Sequence, residues 1–197
     1  MSLTPASLLS VESAAGQRIV IAGGPGSGKS TLLRALADSG EACYEECSRV
    51  LIREQIAIAG PLVPWGDLPA FAQECGRRMR SQLADSARHQ RCFFDRGLPD
   101  LIGYLAHGGF SAPDEWRELS RAYTATVFFA PPWREIYVND VERPQTFAEA
   151  VALSLHIHRT YEDYGFRLVE LIKGPIDERR RQVLDYLGIP QDEHPHE

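Results

Sequence analysis

Short apolar runs alternate with helical patterns along this chain, an arrangement that is typical of βαβ units and a parallel sheet. Runs rich in β-branched and aromatic residues predict five strands, at 18–22, 42–45, 91–95, 126–130 and 168–172. An apolar stripe over 68–83 predicts a long helix that Asp67 can cap, and further helices are predicted over 29–39, 46–59 and 175–187. The pattern therefore predicts an α/β fold in which helices cover both faces of a five-stranded parallel sheet, giving three αβα layers.

These elements predict one domain over 17–188, which a length of 197 residues allows. No internal repeat and no long linker interrupts it. A flexible segment is expected over 1–16, and a polar, proline-containing and disordered tail is expected over 189–197.

Charge and cysteine usage limit the partners and the compartment. The formal net charge of −6 does not attract a nucleic-acid backbone or an anionic membrane, so neither is an expected partner. No apolar stretch approaches the ~20 residues that a membrane-spanning helix needs, and no Lys or Arg precedes Arg18, so the basic start of a signal peptide is missing. The four cysteines form no CxxC pair and fall in predicted strands and helices, which favours reduced thiols in a cytoplasmic protein.

The strongest chemical signal is the segment GGPGSGKS directly after the first predicted strand, which fits the phosphate-binding pattern G-x-x-x-x-G-K-[ST]. Its glycines permit a turn that aims successive N–H groups at an anion, and the following helix adds its positive N-terminal end. Lys29 supplies a charge for the β- and γ-phosphates, and the Ser30 hydroxyl is placed to ligate Mg²⁺. The predicted nucleotide-binding residues here are Gly23, Gly24, Pro25, Gly26, Ser27, Gly28, Lys29, Ser30 and Thr31.

Asp95 ends the third predicted strand, and ligands bind at strand ends in open parallel sheets. A carboxylate there can hold Mg²⁺ or accept a proton from an attacking hydroxyl. The alternative is that Asp95 is a helix N-cap, followed by a surface salt bridge at Arg96.

Two absences narrow the class of nucleotide-binding protein. Motor-type ATPases place a second acid after the first to activate water, and this chain has Arg96 there. No N/T-K-x-D segment occurs, so the guanine-reading signature is missing, and ATP is the expected nucleotide with GTP as an option.

The pair Asp95-Arg96 resembles the DRY, DRS and ERS motifs of thymidylate and deoxynucleoside kinases, in which the acid lies near the acceptor hydroxyl and the arginine near phosphates. Over about 18–187 the chain also resembles the small AAA-domain predicted ATPases that are related to the nicotinamide riboside kinase domain. The matching segments are GGPGSGKSTLLRAL, ECSRVLIREQ, PWGD, FFDRGLPDLIGYL, FFAPPWREIYVNDVERPQTFAEA and LVELIKGPIDERRRQVL. The resemblance implies the kinase-like branch of P-loop folds and leaves the acceptor open.

That branch carries a mobile lid after the fourth strand, which here corresponds to about 133–146 and includes Arg134 and Arg143. Lid arginines close on the transferred phosphoryl group. A stretch around Asn139 is expected to break the lid between two helices; the alternative is an ordinary helix–helix turn with solvated arginines.

Three further groups are candidates for substrate contacts. Glu46 and Arg49 follow the second predicted strand, on the side expected for the acceptor. Trp65 lies in a predicted loop and either stacks on an aromatic acceptor or covers the core. The resemblance implies that the segment Gly174, Pro175 and Ile176, between the last strand and the last helix, contacts adenine.

These residues predict Mg-ATP-dependent phosphoryl transfer to a small molecule, with a nucleoside-like compound as one option. The expected catalytic residues are Lys29, Asp95, Arg96, Arg134 and Arg143, and the expected metal ligands are Ser30 and Asp95. The alternative is a nucleotide-controlled binding module, in which slow ATP or GTP hydrolysis resets a switch. The oligomeric state stays open.

Overall fold

The computed structural model describes residues 16–139 and 145–190. Its strands are β1 (Gln17–Ala22), β2 (Ala42–Tyr44), β3 (Arg91–Asp95), β4 (Thr126–Phe129) and β5 (Arg167–Glu170). Its helices are α1 (Lys29–Asp38), α2 (Cys47–Ala57), α3 (Leu68–Asp85), α4 (Leu98–His107), α5 (Asp114–Ser120), α6 (Phe147–Asp163) and α7 (Ile176–Tyr186).

The five strands form one sheet in the order β2-β3-β1-β4-β5, and all neighbours pair in parallel. Side chains alternate between its faces: Ile19 and Ile21 belong to a core that includes residues of α1 and α7, while Val20 and Phe94 belong to a core that includes residues of α2 to α6. Because both faces are covered, the strands read as nearly continuous apolar runs. The predicted three-layer αβα architecture is confirmed.

Strand order places the candidate chemistry at the centre of the sheet. The chain runs from β1 to β2 on one side and later crosses to β4 on the other, so β1 lies between β3 and β4. The connection from β1 to α1 therefore leaves the sheet where strand order diverges, which is the usual position of a ligand crevice. Asp95, the last residue of β3, lies beside Ile21 of β1.

Local signals agree with the helix boundaries within one or two residues at most ends. Asp67 caps α3 by accepting a hydrogen bond from the Ala70 N–H at 3.0 Å, and Gly40 adopts a φ of 91° just after α1. Several predicted ends differ by one or two residues, including those of α7 and β5. Pro175 is the N-cap of α7 rather than its first residue, and β5 begins and ends before the predicted 168–172.

The segment after β4 also differs from the prediction. A helix was expected before the break near Asn139, but only a short 3₁₀ turn over Arg134–Ile136 forms there. Pro131 and Pro132 precede this turn; proline lacks an N–H donor and disfavours helical angles in the residue before it.

Three predicted segments lie wholly or partly outside the described residues: 140–144 of the predicted lid, most of the predicted N-terminal segment and most of the predicted tail. None of the described helices is long and apolar enough to cross a membrane.

Candidate functional site

The loop over residues 23–30, here called the phosphate loop, depends on backbone angles that glycine adopts easily. Gly23, Gly26 and Gly28 have φ values of 131°, 72° and 78°. A Cβ on Gly23 would lie 2.3 Å from the carbonyl oxygen of Ala130. The tight turn between β1 and α1 therefore requires the glycines of the motif.

Lys29 folds over this loop and is buried. Its Nζ donates to the carbonyl oxygen of Gly24 at 2.6 Å and to the Ser27 hydroxyl at 3.2 Å. Burial and the nearby charge of Arg96 lower the pKa of Lys29 to about 8. The ammonium group therefore remains largely protonated at neutral pH, and an anion bound in the loop would favour its charged form.

Ser30 and Asp95 join the first turn of α1 to the end of β3. The Ser30 hydroxyl donates to Oδ2 of Asp95 at 2.6 Å, while the buried Oδ1 has no hydrogen-bond partner within 16–139 and 145–190. Burial and the charge of Glu46 raise the pKa of Asp95 to about 6. Hydroxyl and carboxylate oxygens are the ligands that Mg²⁺ prefers, so this pair fits the metal that accompanies a nucleotide.

The titration of Asp95 should be visible in stability. A carboxyl whose folded pKa exceeds its ordinary 3.8 makes folding less favourable as pH rises from there to about 6. Relative to wild type, Asp95→Asn should therefore gain unfolding free energy between about pH 4 and pH 7, on the order of 2 kcal/mol. Urea denaturation across this range measures the difference, with Asp38→Asn on the exposed face of α1 as control. Parallel stability curves for Asp95→Asn and wild type would contradict the raised pKa.

Arg96 lies at the centre of a buried ionic network. Its Nε donates to Oε1 of Glu46 at 2.8 Å, and its Nη1 contacts the Gly23 carbonyl oxygen at 2.8 Å and Oδ1 of Asp100 at 3.5 Å. Its φ of 77° is uncommon for a residue with a side chain. Asp100, in α4, accepts a hydrogen bond from the hydroxyl of Tyr161, in α6, at 2.6 Å. The position of Arg96, just after β3, therefore depends on both of these helices.

Glu46 is held as a carboxylate by this network. Burial opposes its ionisation, but the positive charges of Arg96 and Lys29 and hydrogen bonds from Ser48 and Arg96 lower its pKa to about 2. Both hydrogen bonds reach Oε1, at 2.7 Å from Ser48 and 2.8 Å from Arg96, and Oε2 lies outside both contacts.

A cavity of about 440 Å³ connects these groups. Part of its lining comes from the phosphate loop, including Lys29 and Ser30, and from Gly174 and Ile176. The rest includes Glu46 and residues of the helices α2, α3, α4 and α6, which pack on one face of the sheet. A cavity of this size and mixed lining suits a small-molecule ligand.

Comparison with known proteins fits this geometry. A family model described as an AAA domain matches residues 18–179. The chain belongs to this AAA-domain family. A search of curated proteins gives no match.

Solved structures similar to this member of the AAA-domain family include kinases. A thymidylate kinase from Candida albicans is 18% identical with a TM-score of 0.61, covering 88% of this chain and 92% of that one. A NadR protein in complex with NAD and AMP-PNP is 15% identical with a TM-score of 0.60; 92% of this chain aligns with 52% of that one, so this chain spans about half its length. A shikimate kinase from Acinetobacter baumannii, in complex with shikimate, is 15% identical with a TM-score of 0.57, covering 89% and 95%. At these identities the likeness shows the kinase-like P-loop fold.

Most of the predicted site residues lie along the cavity of this family member. Gly174, Ile176 and Arg49 line it, and Trp65 lines a smaller adjoining cavity of about 230 Å³. The lining residues from the phosphate loop and α1 are Pro25, Gly26, Ser27, Gly28, Lys29, Ser30 and Thr31.

Other predicted residues are placed differently. Gly23 and Gly24 support the loop through their carbonyl oxygens, and Pro175 is exposed. Arg134 is exposed and packs over the ring of Phe147, 5.1 Å from its centroid, and it does not line the cavity. Arg143 lies outside the described residues.

Sequence reasoning missed Arg179, which is only 2% exposed. Its Nη2 donates to the Ser27 carbonyl oxygen at 3.1 Å and its Nη1 to the Gly28 carbonyl oxygen at 3.3 Å. Burial lowers its pKa, and no ion pair joins it to a carboxylate in the described parts of the chain. It therefore fixes two peptide units of the phosphate loop and adds an uncompensated positive charge to the lining of the cavity. One signal in the sequence could have pointed to Arg179: it lies in the first turn of α7, directly after the predicted nucleotide-binding segment Gly174–Ile176. The charged run DERRRQ around it is, however, also typical of a helix face exposed to solvent.

Arg179→Met should weaken Mg-ATP binding by about tenfold, because two charge-assisted contacts that order the phosphate loop are lost. The unfolding free energy should change little, since the same substitution removes a buried, unpaired charge. Isothermal titration calorimetry checks the affinity, with the exposed Arg181→Met on the same helix as control. An unchanged Kd in Arg179→Met would show that the contacts of Arg179 with the phosphate loop do not affect nucleotide binding.

Proposed function

We propose that the protein is a Mg-ATP-dependent kinase that transfers a phosphoryl group to a hydroxyl of a small molecule. The observation that carries this proposal is the shared cavity, which is lined in part by the phosphate loop and in part by Glu46 and residues of α2, α3, α4 and α6. A simple nucleotide site needs the first part alone. The second part gives an acceptor a place beside the transferred group.

In this proposal the N–H groups of the phosphate loop and Lys29 bind the β- and γ-phosphates, and Arg179 holds the loop in shape. Gly174, Ile176 and Trp133 line the adjoining wall and would contact the base. Magnesium, when bound, would neutralise phosphate charge, and Ser30 Oγ and Asp95 are the residues of the chain that would ligate it.

Glu46 is the better candidate for the proton acceptor. Glu46 lines the cavity, whereas Asp95 is buried against Ser30 and does not. As the acceptor oxygen bonds to the γ-phosphorus and the β–γ bridging oxygen leaves with ADP, the hydroxyl proton would pass to the Glu46 carboxylate. Arg96 would then act as a positioning residue, because it is committed to Glu46, Asp100 and a backbone carbonyl. Arg143, and Arg134 if the segment moves, remain candidates for closing over the phosphates.

A coupled assay of ADP release tests this proposal. ATP turnover should rise at least about tenfold when the right member of a panel of nucleosides, ribosides and sugar alcohols is added, because the acceptor hydroxyl replaces water as the nucleophile. A protein that changes shape between ATP and ADP, with turnover that no acceptor stimulates, would instead support the switch.

A further inference from the structure

Residues of α2, α3, α4 and α6, with Gln145 just before α6, line the part of the cavity away from the phosphate loop, which is here called the acceptor chamber. Its lining residues are Ser48, Arg49, Ile52, Phe71, Leu101, Tyr104, Gln145, Leu153 and Ile157. The apolar members form two walls that come from two pairs of helices: Ile52 and Phe71 from α2 and α3, and Leu101, Leu153 and Ile157 from α4 and α6. All five are at most 7% exposed. These apolar walls favour a flat, largely apolar group over a hydrated, flexible one.

Two uncharged polar side chains, Gln145 and Tyr104, line both the acceptor chamber and the smaller cavity. The Gln145 side-chain amide donates to the Tyr104 hydroxyl at 3.2 Å. Burial raises the pKa of Tyr104, so its phenol stays protonated at neutral pH. Trp65, whose side chain is half-exposed, lines the smaller cavity as well. An amide and a phenol can exchange hydrogen bonds with the polar edge of a ring.

The two carboxylates that line the cavity share one arginine partner. The charged groups nearest to the acceptor chamber in the lining are the carboxylates of Glu46 and Asp100 and the guanidinium groups of Arg49 and Arg96. Arg96 is bound to both carboxylates, and Glu46 is held ionised. A phosphate monoester beside Glu46 would bring about two negative charges close to a carboxylate whose partner, Arg96, is already bound to two carboxylates, and this repulsion opposes its binding.

We propose that the acceptor is an unphosphorylated hydroxyl compound with a flat ring, such as a nucleoside or another riboside, and not a nucleoside monophosphate. This inference rests on the proposed kinase function and specifies its substrate class. The ring lies between the apolar walls, its polar edge faces Gln145 and Tyr104, and its hydroxyl arm reaches Glu46.

Binding can be tested separately from turnover. Matched pairs of a nucleoside or riboside and its 5′-monophosphate are titrated into the protein with a non-hydrolysable ATP analogue and Mg²⁺. At least one ring compound should bind with a Kd below about 1 mM, and at least about tenfold more tightly than its monophosphate. Gln145→Leu should weaken that compound by about fivefold or more, and Tyr104→Phe should weaken it to a smaller extent. The exposed Gln73→Leu on α3 is the matched control and should leave the Kd unchanged.

The outcomes separate this inference from the proposed function. If a ring compound binds in a Gln145-dependent way but never stimulates ADP release, the chamber assignment stands and the kinase proposal is wrong. If a monophosphate binds as tightly as its parent compound or is the better acceptor, the inference is overturned and the kinase proposal survives. If no ring compound binds at about 1 mM, or if Gln145→Leu and Gln73→Leu behave alike, the inference is overturned as well.

Discussion

Replacing Glu46 with glutamine should lower kcat for phosphoryl transfer by about 10²–10⁴-fold, the usual effect of losing a general base. The amide keeps the shape of the carboxylate but cannot take the proton of the acceptor hydroxyl. Mg-ATP affinity should stay within about threefold of wild type, because the phosphate loop and Lys29 remain. Steady-state kinetics with the best acceptor, together with calorimetric ATP titrations, measures both quantities.

Two controls make the Glu46 result specific. The exposed Glu45→Gln, one residue earlier, should behave as wild type. Thermal melts must show that Glu46→Gln is folded, since breaking a buried ion pair with Arg96 can cost about 3–5 kcal/mol; Asp100 still offers Arg96 a carboxylate. If Glu46→Gln keeps its kcat, Glu46 is not the proton acceptor and serves only to hold Arg96; a loss of kcat in Asp95→Asn does not by itself identify the base, because Asp95 is also the proposed magnesium ligand.

Lys29→Met should lower kcat by about 10²-fold or more, because it removes a preorganised positive charge from the β- and γ-phosphates. It should also reduce ligand-induced stabilisation. Wild type should gain about 2.7 kcal/mol at a Mg-ATP concentration about 100-fold above Kd, and Lys29→Met should gain much less at the same concentration. Arg34→Met, exposed on the same helix, is the matched control. Wild-type turnover in folded Lys29→Met would contradict the assignment of the phosphate loop.

The fold and the phosphate loop follow largely from local sequence. The glycines of the phosphate loop, the strand before it and the helix after it are encoded within a few residues, and period-two and helical patterns predict the sheet and the long α3. The structure confirms these features. Asp95 was predicted on the same basis, because parallel strands end at one edge and a carboxylate there is visible in the sequence; its role in the site stays a prediction.

The supporting groups could not be predicted in this way, because their contacts join residues far apart in the chain. Arg179 contacts Ser27 across 152 positions, and Tyr161 contacts Asp100 across 61. Their neighbours in sequence give each an ordinary reading, a charged helix face for Arg179 and a core aromatic for Tyr161. The choice between Glu46 and Asp95 also depends on which side chain faces the cavity, which strand positions alone do not determine.

The central claim is that the γ-phosphoryl group of ATP moves to a bound small molecule rather than to water. The direct measurement is phosphorus NMR with mass spectrometry on the complete reaction: protein, Mg-ATP and the best acceptor from the binding titrations. The account predicts one phosphorylated acceptor for each ADP formed, with little inorganic phosphate. ADP and inorganic phosphate in equal amounts, with the acceptor unchanged, would contradict it.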